Sequence, residues 1–261
     1  MKVDEDILLD IRRDYVLSKL RDGERVDGRA FDEYRPIEIE VGLIEKAEGS
    51  ALVRIGNTQV VVGIKMQPGE PFPDTPDKGI IITNAELVPL ASPTFEPGPP
   101  DEHSVELARV VDRGIRESEA VDLNKLCIEE GEKVWLVFID IHALDDDGNL
   151  MDASALAAIA ALLNTTVPAE RYEVGDDFPL PVRDLPVAVT SQVIGDYVVV
   201  DPSKDEENAS KNFITVTTDS EDNIVAMQKS GSYLLDEDRL FEIIETSVRK
   251  ARENRKLLKE V

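Results

Sequence analysis

Cysteine, aromatic residues, positive charge and long apolar runs are all scarce in this chain, and each shortage excludes something. A single cysteine, Cys127, in 261 residues cannot close an internal disulfide and fits a reducing compartment. With no base beside it in sequence, Cys127 reads as a small buried side chain, not a nucleophile. No run of about 18 apolar residues occurs, so no membrane-spanning helix is expected. The first residues, Met1-Lys-Val-Asp-Glu-Asp6, are too acidic for a signal peptide, and a cytoplasmic protein without membrane contact is the expectation. Lys and Arg number 29 against 54 Asp and Glu, a formal charge of −25. Most of such a surface repels nucleic acid, so RNA could be held only by a local basic patch or with a more basic partner. There is no phosphate loop, dinucleotide glycine fingerprint or Cys/His metal spacing, and no cofactor is expected.

What is present is ample core material, 42% hydrophobic, arranged as strands and then helices, twice. Residues 4–21 carry Ile7, Leu8, Ile11, Tyr15 and Leu20 on one side of an amphipathic helix. After the cation-flanked turn Arg25-Val-Asp-Gly-Arg29 come strands at 37–41, 51–55 and 58–66, the last two joined by the hairpin turn Gly56-Asn57. A loop with Pro68, Pro71, Pro73 and Pro76 precedes another strand, 79–90. The apolar, β-branched run 133–144 predicts a central strand buried on both faces. Met151 to Thr165 has almost no polar surface and predicts a helix buried between layers. A proline-spaced connector, 167–186, separates the halves. Hairpins then follow at 187–194/197–200 and 213–218/224–229, and a closing helix spans Leu235 to Val261 with Asp236 as cap. The pattern is α+β, not a doubly wound nucleotide fold.

One helix, Val105 to Ser118, is the strongest functional candidate. Asp101 or Ser104 can cap it after the proline-rich stretch Glu96-Pro-Gly-Pro-Pro100. At ~100° per residue, Arg109, Arg113 and Arg116 fall within an arc of about 60°, opposite Leu107, Ala108, Val111 and Ile115. Spacing alone leaves two readings open. The arginines could be neutralised by Glu106–Arg109, Asp112–Arg116 and Arg113–Glu117 pairs, or they could be a track for a polyanionic backbone. Other constellations are weaker. Asp145, Asp147, Asn149 and Asp152 miss the glycine and the bidentate acid of a calcium loop, and suit an acid-capped strand-to-helix turn. Glu206 and Glu207, adjacent on what reads as an extended segment, point opposite ways and cannot share one reacting atom. His103 and His142 are far apart, and His142, inside a strand, reads as a hydrogen-bonded core residue.

The segments Arg25-Val-Asp-Gly-Arg29, Glu48-Gly-Ser-Ala-Leu-Val-Arg-Ile-Gly-Asn-Thr-Gln-Val60 and Leu107-Ala-Arg-Val-Val-Asp-Arg-Gly-Ile-Arg116, continued by 140–161, resemble the RNase PH family. The likeness runs from about Arg25 to the closing helix. It is strongest to the non-catalytic RNase PH-type branch of the archaeal exosome, through Trp135-Leu-Val-Phe-Ile-Asp140 and Asp147-Gly-Asn-Leu-Met-Asp152. The resemblance implies a helical extension (1–24) and two RNase PH-type sheet–helix halves of ribosomal-protein-like βαβ fold, 25–166 and 187–261, joined by 167–186. It also implies a hexameric ring, a trimer of heterodimers with a catalytic sister subunit, bearing RNA-binding cap subunits and degrading single-stranded RNA 3′ to 5′ with phosphate.

Departures from the family pattern carry as much information. Active members bind phosphate with a Gly-Ser-Arg or Gly-Thr-Arg turn. Here the matching place is Asp147-Gly148-Asn149-Leu150, without a cation and amid Asp145, Asp146, Asp147 and Asp152, where an anion should be repelled. Active members also use two aspartates six residues apart. Glu206 or Glu207 can stand at the first position, but the second falls on Asn212 or Phe213. The resemblance thus implies no phosphorolysis by this chain, and RNA held through Arg109 and Arg113, with Arg116 a weaker match. Two alternatives stay open: a phosphate-dependent exoribonuclease using Glu206 or Glu207, and a structural scaffold whose arginines only form ion pairs.

Overall fold

The computed structural model describes residues 2–260, with side chains described from residue 11 onward. Helix α1 (Lys2–Arg21) leads into five strands and a helix: β1 (Ile37–Val41), β2 (Gly49–Ile55), β3 (Thr58–Gly69), β4 (Ile80–Leu87), α2 (Glu102–Glu117) and β5 (Cys127–Glu129). Then follow β6 (Lys133–Asp145), α3 (Leu150–Leu163) and a small connector hairpin, β7 (Thr166–Val167) with β8 (Phe178–Pro179). The second half is β9 (Val187–Ile194), β10 (Tyr197–Val200), α4 (Lys204–Ala209), β11 (Phe213–Thr218), β12 (Ile224–Ser230) and α5 (Glu237–Leu258). Val261, placed by sequence in the closing helix, lies outside the described residues.

The first sheet runs β1-β2-β3-β6-β4, with β5 added beside β6; every pair is antiparallel except β4–β6. That parallel pair requires a crossover, which α2 supplies. The second sheet, β10-β9-β11-β12, is antiparallel throughout. Between the two lies α3, with Ala153, Leu156, Ala157, Ala158, Ile159, Ala160, Ala161 and Leu162 all buried. A helix contacted on every side has no use for a polar stripe, so its uniform apolarity follows from its position.

Several expectations need correction. The buried stripe of α1 is Val16 and Leu20, packed on Ile194, Val199 and Ala209, whereas Ile11 and Tyr15 are 60% and 53% exposed; Ile7 and Leu8 lie outside the described side chains. Strand β6 is central but not buried on both faces. From Trp135 onward its odd positions to Ala143 are buried and Leu136, Phe138, Asp140, His142 and Leu144 are half-buried, because helices cover one face of this sheet. His142 therefore sits on the open face, its Nδ1 3.5 Å from the Glu86 carboxylate, and is not a core residue. Cys127, on the added strand, is only half-buried. Pro68 belongs to the end of β3, opposite Trp135, not to the loop. The Glu206–Glu207 segment is not extended but forms the short helix α4.

The halves are knitted together by a buried ionic cluster. Arg25, 1% exposed, donates to both Glu206 carboxylate oxygens (2.9 and 2.6 Å) and to the Val200 and Asp201 carbonyls (both 2.9 Å). Arg29 and Arg35 converge on the Asp201 carboxylate at 2.8 and 2.7 Å. Arg35 also donates to the Asp147 and Gly148 carbonyls at 2.7 and 3.0 Å. Charges this far from water persist only when both partners are fully hydrogen-bonded, as these are.

Candidate nucleic-acid interface

Helix α2 starts at Glu102, earlier than the Val105 expected from sequence, and of the two candidate caps it uses Asp101, which accepts a 2.8 Å hydrogen bond from the Ser104 amide. Leu107, Ala108, Val111, Gly114 and Ile115 are buried, leaving the arginine face turned outward. Gly114 lets the helix meet the second sheet, since a Cβ there would lie 3.2 Å from Thr217 Cγ2. Around that contact a cleft of about 630 Å³ opens, with Arg109, Val110, Arg113 and Arg116 on one wall and Thr215, Thr217, Met227 and Gln228 on the other.

The structure separates the three arginines that sequence grouped. Of the three expected ion pairs only Asp112–Arg116 forms, at 2.6 Å. Arg116 also donates to the Ile81 carbonyl, so its guanidinium is committed to the protein. Among the described residues, Arg109 and Arg113 have no side-chain hydrogen bond or ion pair, and both are exposed. Glu106 accepts a 3.0 Å hydrogen bond from Gln228 across the cleft, not one from Arg109. Two guanidinium groups one helical turn apart, about 6 Å along the axis, are therefore unspent beside a cleft. Guanidinium forks of that kind suit phosphate oxygens.

The α3 N-terminus, where resemblance places a phosphate site, is already occupied from within. Asn149, left-handed at φ 58°, caps the helix, and its backbone amide donates to the Glu207 carboxylate at 2.8 Å. Lys204 bridges Asp146 (2.5 Å) and Glu207 (3.4 Å). Burial raises Glu207 above the usual carboxylate range although Lys204 and the Asn149 amide oppose it. Glu206 faces the other way and is consumed by Arg25. Of the four carboxylates expected to repel an anion, Asp146 and Asp152 thus act differently. Asp152 points inward to Tyr34 (2.6 Å), Asn149 (2.9 Å) and Thr190 (2.7 Å), and burial raises it to about 6. Sequence reasoning missed Glu207 as this internal ligand, and missed Gln228 as the opposite wall. A signal existed for the first alone: Ser203 with Glu206 has capping-box spacing, which marks a helix start. His103 is exposed on the first turn of α2.

Comparison with known proteins places these features in a family. The 3′ exoribonuclease family, domain 1, matches residues 33–168, and its domain 2 matches residues 184–250. The chain is 71% identical to the exosome complex component Rrp42 of Archaeoglobus fulgidus, over 98% of this chain and 99% of that protein. It is 58% identical to that of Methanocella arvoryzae, over 95% of each. Among solved structures, the Archaeoglobus fulgidus exosome with RNA bound to the active site contains a chain that superposes with a TM-score of 0.94 at 71% identity, covering 96% of this chain and 98% of that one.

Proposed function

The chain belongs to the RNase PH 3′ exoribonuclease family, and we propose that it is a component of an archaeal exosome core, as its relatives named exosome complex component Rrp42 are, and that within it this subunit binds RNA without itself cleaving it. The observation that carries this reading is the pair Arg109 and Arg113, free of partners among the described residues and beside the cleft. Their forks hold backbone phosphates of single-stranded RNA and read no bases, so the grip is sequence-independent. Arg116 lends its charge to the same face but is anchored by Asp112.

Phosphorolysis is the work of a sister subunit of the same family. In this chain the α3 N-terminal amide that could receive a phosphate receives Glu207 instead, and Glu206 is locked in a buried ion pair. Neither carboxylate is available as a general acid or base, which counts against the chain acting alone as an exoribonuclease. We place it in a hexameric ring, a trimer of heterodimers alternating with the catalytic subunit and carrying RNA-binding caps, in the cytoplasm. No described helix is long and apolar enough to cross a membrane. Residues 25–166 and 187–261 are its two halves, 1–24 the helical extension and 167–186 the connector.

Reconstitution tests the assignment. The chain alone, the catalytic partner alone and the mixture are given single-stranded RNA with and without inorganic phosphate. Shortening to nucleoside diphosphates that is fastest in the mixture, requires phosphate and is absent from this chain alone is the expected outcome. Phosphate-dependent shortening by this chain alone would overturn it.

A further inference from the structure

The cleft beside Arg109 and Arg113 is not uniformly basic: Glu102, Glu106, Asp112 and Glu117 line it together with the three arginines. The four acids are not equivalent. Asp112 is spent on Thr83 (3.0 Å) and Arg116 (2.6 Å). Glu117 lies beyond the last arginine, at the C-terminal end of α2. Glu102 and Glu106 lie at the other end of the arginine stripe. Helical geometry puts Glu102 within about 20° of the Arg109 direction and about 10.5 Å upstream, and Glu106 about 60° round and about 4.5 Å upstream.

Glu106 does not neutralise Arg109. Its partner is the neutral amide of Gln228, which reaches across from β12 at 3.0 Å and holds the carboxylate, with its charge uncompensated, in the cleft. The first turn of a helix ordinarily attracts phosphate through its free amides. Here Asp101 takes the Ser104 amide, and Glu102 adds a second negative charge to the same turn. Unspent positive charge on α2 therefore covers one helical turn, Arg109 to Arg113, and fixed negative charge follows immediately.

We infer that Glu102 and Glu106 form an electrostatic stop that ends the phosphate track after two contacts, with Gln228 as the positioning residue that keeps Glu106 turned into the cleft. The inference rests on the proposed function, in which Arg109 and Arg113 hold RNA phosphates. The stop confines the strand to the C-terminal half of α2 and sets how many phosphates this subunit grips. At about 8 Å in a nearly aqueous medium each carboxylate weakens the binding of a further phosphate by roughly two- to threefold.

The test uses the full-length chain assembled in the exosome core, with single-stranded RNA binding followed by fluorescence anisotropy at low and high salt. Glu102→Gln with Glu106→Gln removes both charges, and the amide carbonyl introduced at the second position still accepts from Gln228. Binding about fivefold tighter at low salt, with the gain gone near 1 M salt, is expected. Glu102→Lys extends the track by one cation, so the slope of log affinity against log salt steepens by about 0.7. Gln228→Ala frees Glu106 to pair with Arg109 and weakens binding at low salt, and adding Glu106→Gln restores it. Unchanged or weaker binding by the double glutamine variant overturns the stop, and an unaltered Gln228→Ala overturns the positioning role. Arg109→Ala with Arg113→Ala, run alongside, separates the two levels. If that variant loses affinity while the glutamine variant gains none, the stop is wrong and the grip stands; if it keeps full affinity, the grip itself is wrong and the stop falls with it.

Discussion

Replacing Arg109 and Arg113 by alanine is the most direct test of the RNA grip, because the structure predicts a large effect on binding and almost none on folding. Neither guanidinium has a protein partner among the described residues, and both are exposed. Removing them breaks no ion pair, and alanine is at least as good a helix former as arginine. Stability should stay within about 0.5 kcal/mol of the parent chain. For RNA, about 1 kcal/mol per exposed charge-assisted contact gives roughly 30-fold weaker binding at 50 mM salt. Each phosphate contact to a single strand contributes about 0.7 to the salt slope, so the double variant should lose about 1.4. Over a fourfold rise in salt to 200 mM, the penalty should shrink about sevenfold, to roughly fourfold. Anisotropy titrations of the assembled complex across that range, paired with thermal melts of the free chain, measure both quantities. Equal affinity and equal slope would refute the grip. A melting point that falls together with the affinity would make the arginines structural.

Other consequences follow from the buried cluster. Glu206→Ala leaves Arg25 charged and unpaired in the interior and should cost about 3–5 kcal/mol in denaturant titrations, and Arg25→Lys in the parent chain should itself be destabilising because one ammonium cannot replace the forked contacts. Gly148→Ala should also be severely destabilising, since φ is +91° and a Cβ would lie 2.6 Å from the Lys204 nitrogen and the Pro202 oxygen. Asp152 gives a pH signature: its carboxyl rises from an ordinary 3.8 to about 6 through burial, so between those values the folded chain binds the proton more tightly than the unfolded chain. Through this group stability falls as pH rises from about 4 to about 6 and is flat above. The stability difference between parent and Asp152→Asn, followed across that range, should drift against the parent and then level off; a difference independent of pH would show that Asp152 ionises normally.

How much of this was legible depends on the range of the interaction. The α+β class, the hairpins of the second half and the buried α3 followed from periodicity, because alternating and all-apolar runs report directly on which faces meet a layer. The cap of α2 and its buried stripe were equally local. Failures began where the decisive partner lay far along the chain. The face of α1 could not be chosen between the Ile11–Tyr15 and Val16–Leu20 stripes without knowing that Ile194 and Val199 would receive it. Six-residue α4 is too short for a periodic signal, so sequence alone suggests an extended segment at Glu206 and Glu207. Nothing local says that Glu106 will choose Gln228, 122 positions away, over Arg109, three positions away.

The internal ligand at α3 explains how a chain of this family can dispense with the chemistry and keep the architecture. A helix N-terminus whose anion site is simply emptied leaves unpaired amides inside the protein, which costs stability. Here Glu207 takes the Asn149 amide and is itself partnered by Lys204, which also pairs with Asp146, so the turn is satisfied without a bound anion. Asn149 accepts a left-handed conformation to do so, and its side chain then bridges Asp152 and Asp201, linking the two halves of the molecule. The same position that could have held a reactant becomes a junction of the core. Of the arginines on α2, Arg116 has been drawn into the protein by Asp112 and the Ile81 carbonyl, whereas Arg109 and Arg113 have not. Among the described residues these two remain without partners on an acidic chain, where pairing would have been easy, which is why the proposed RNA grip is placed at their cleft.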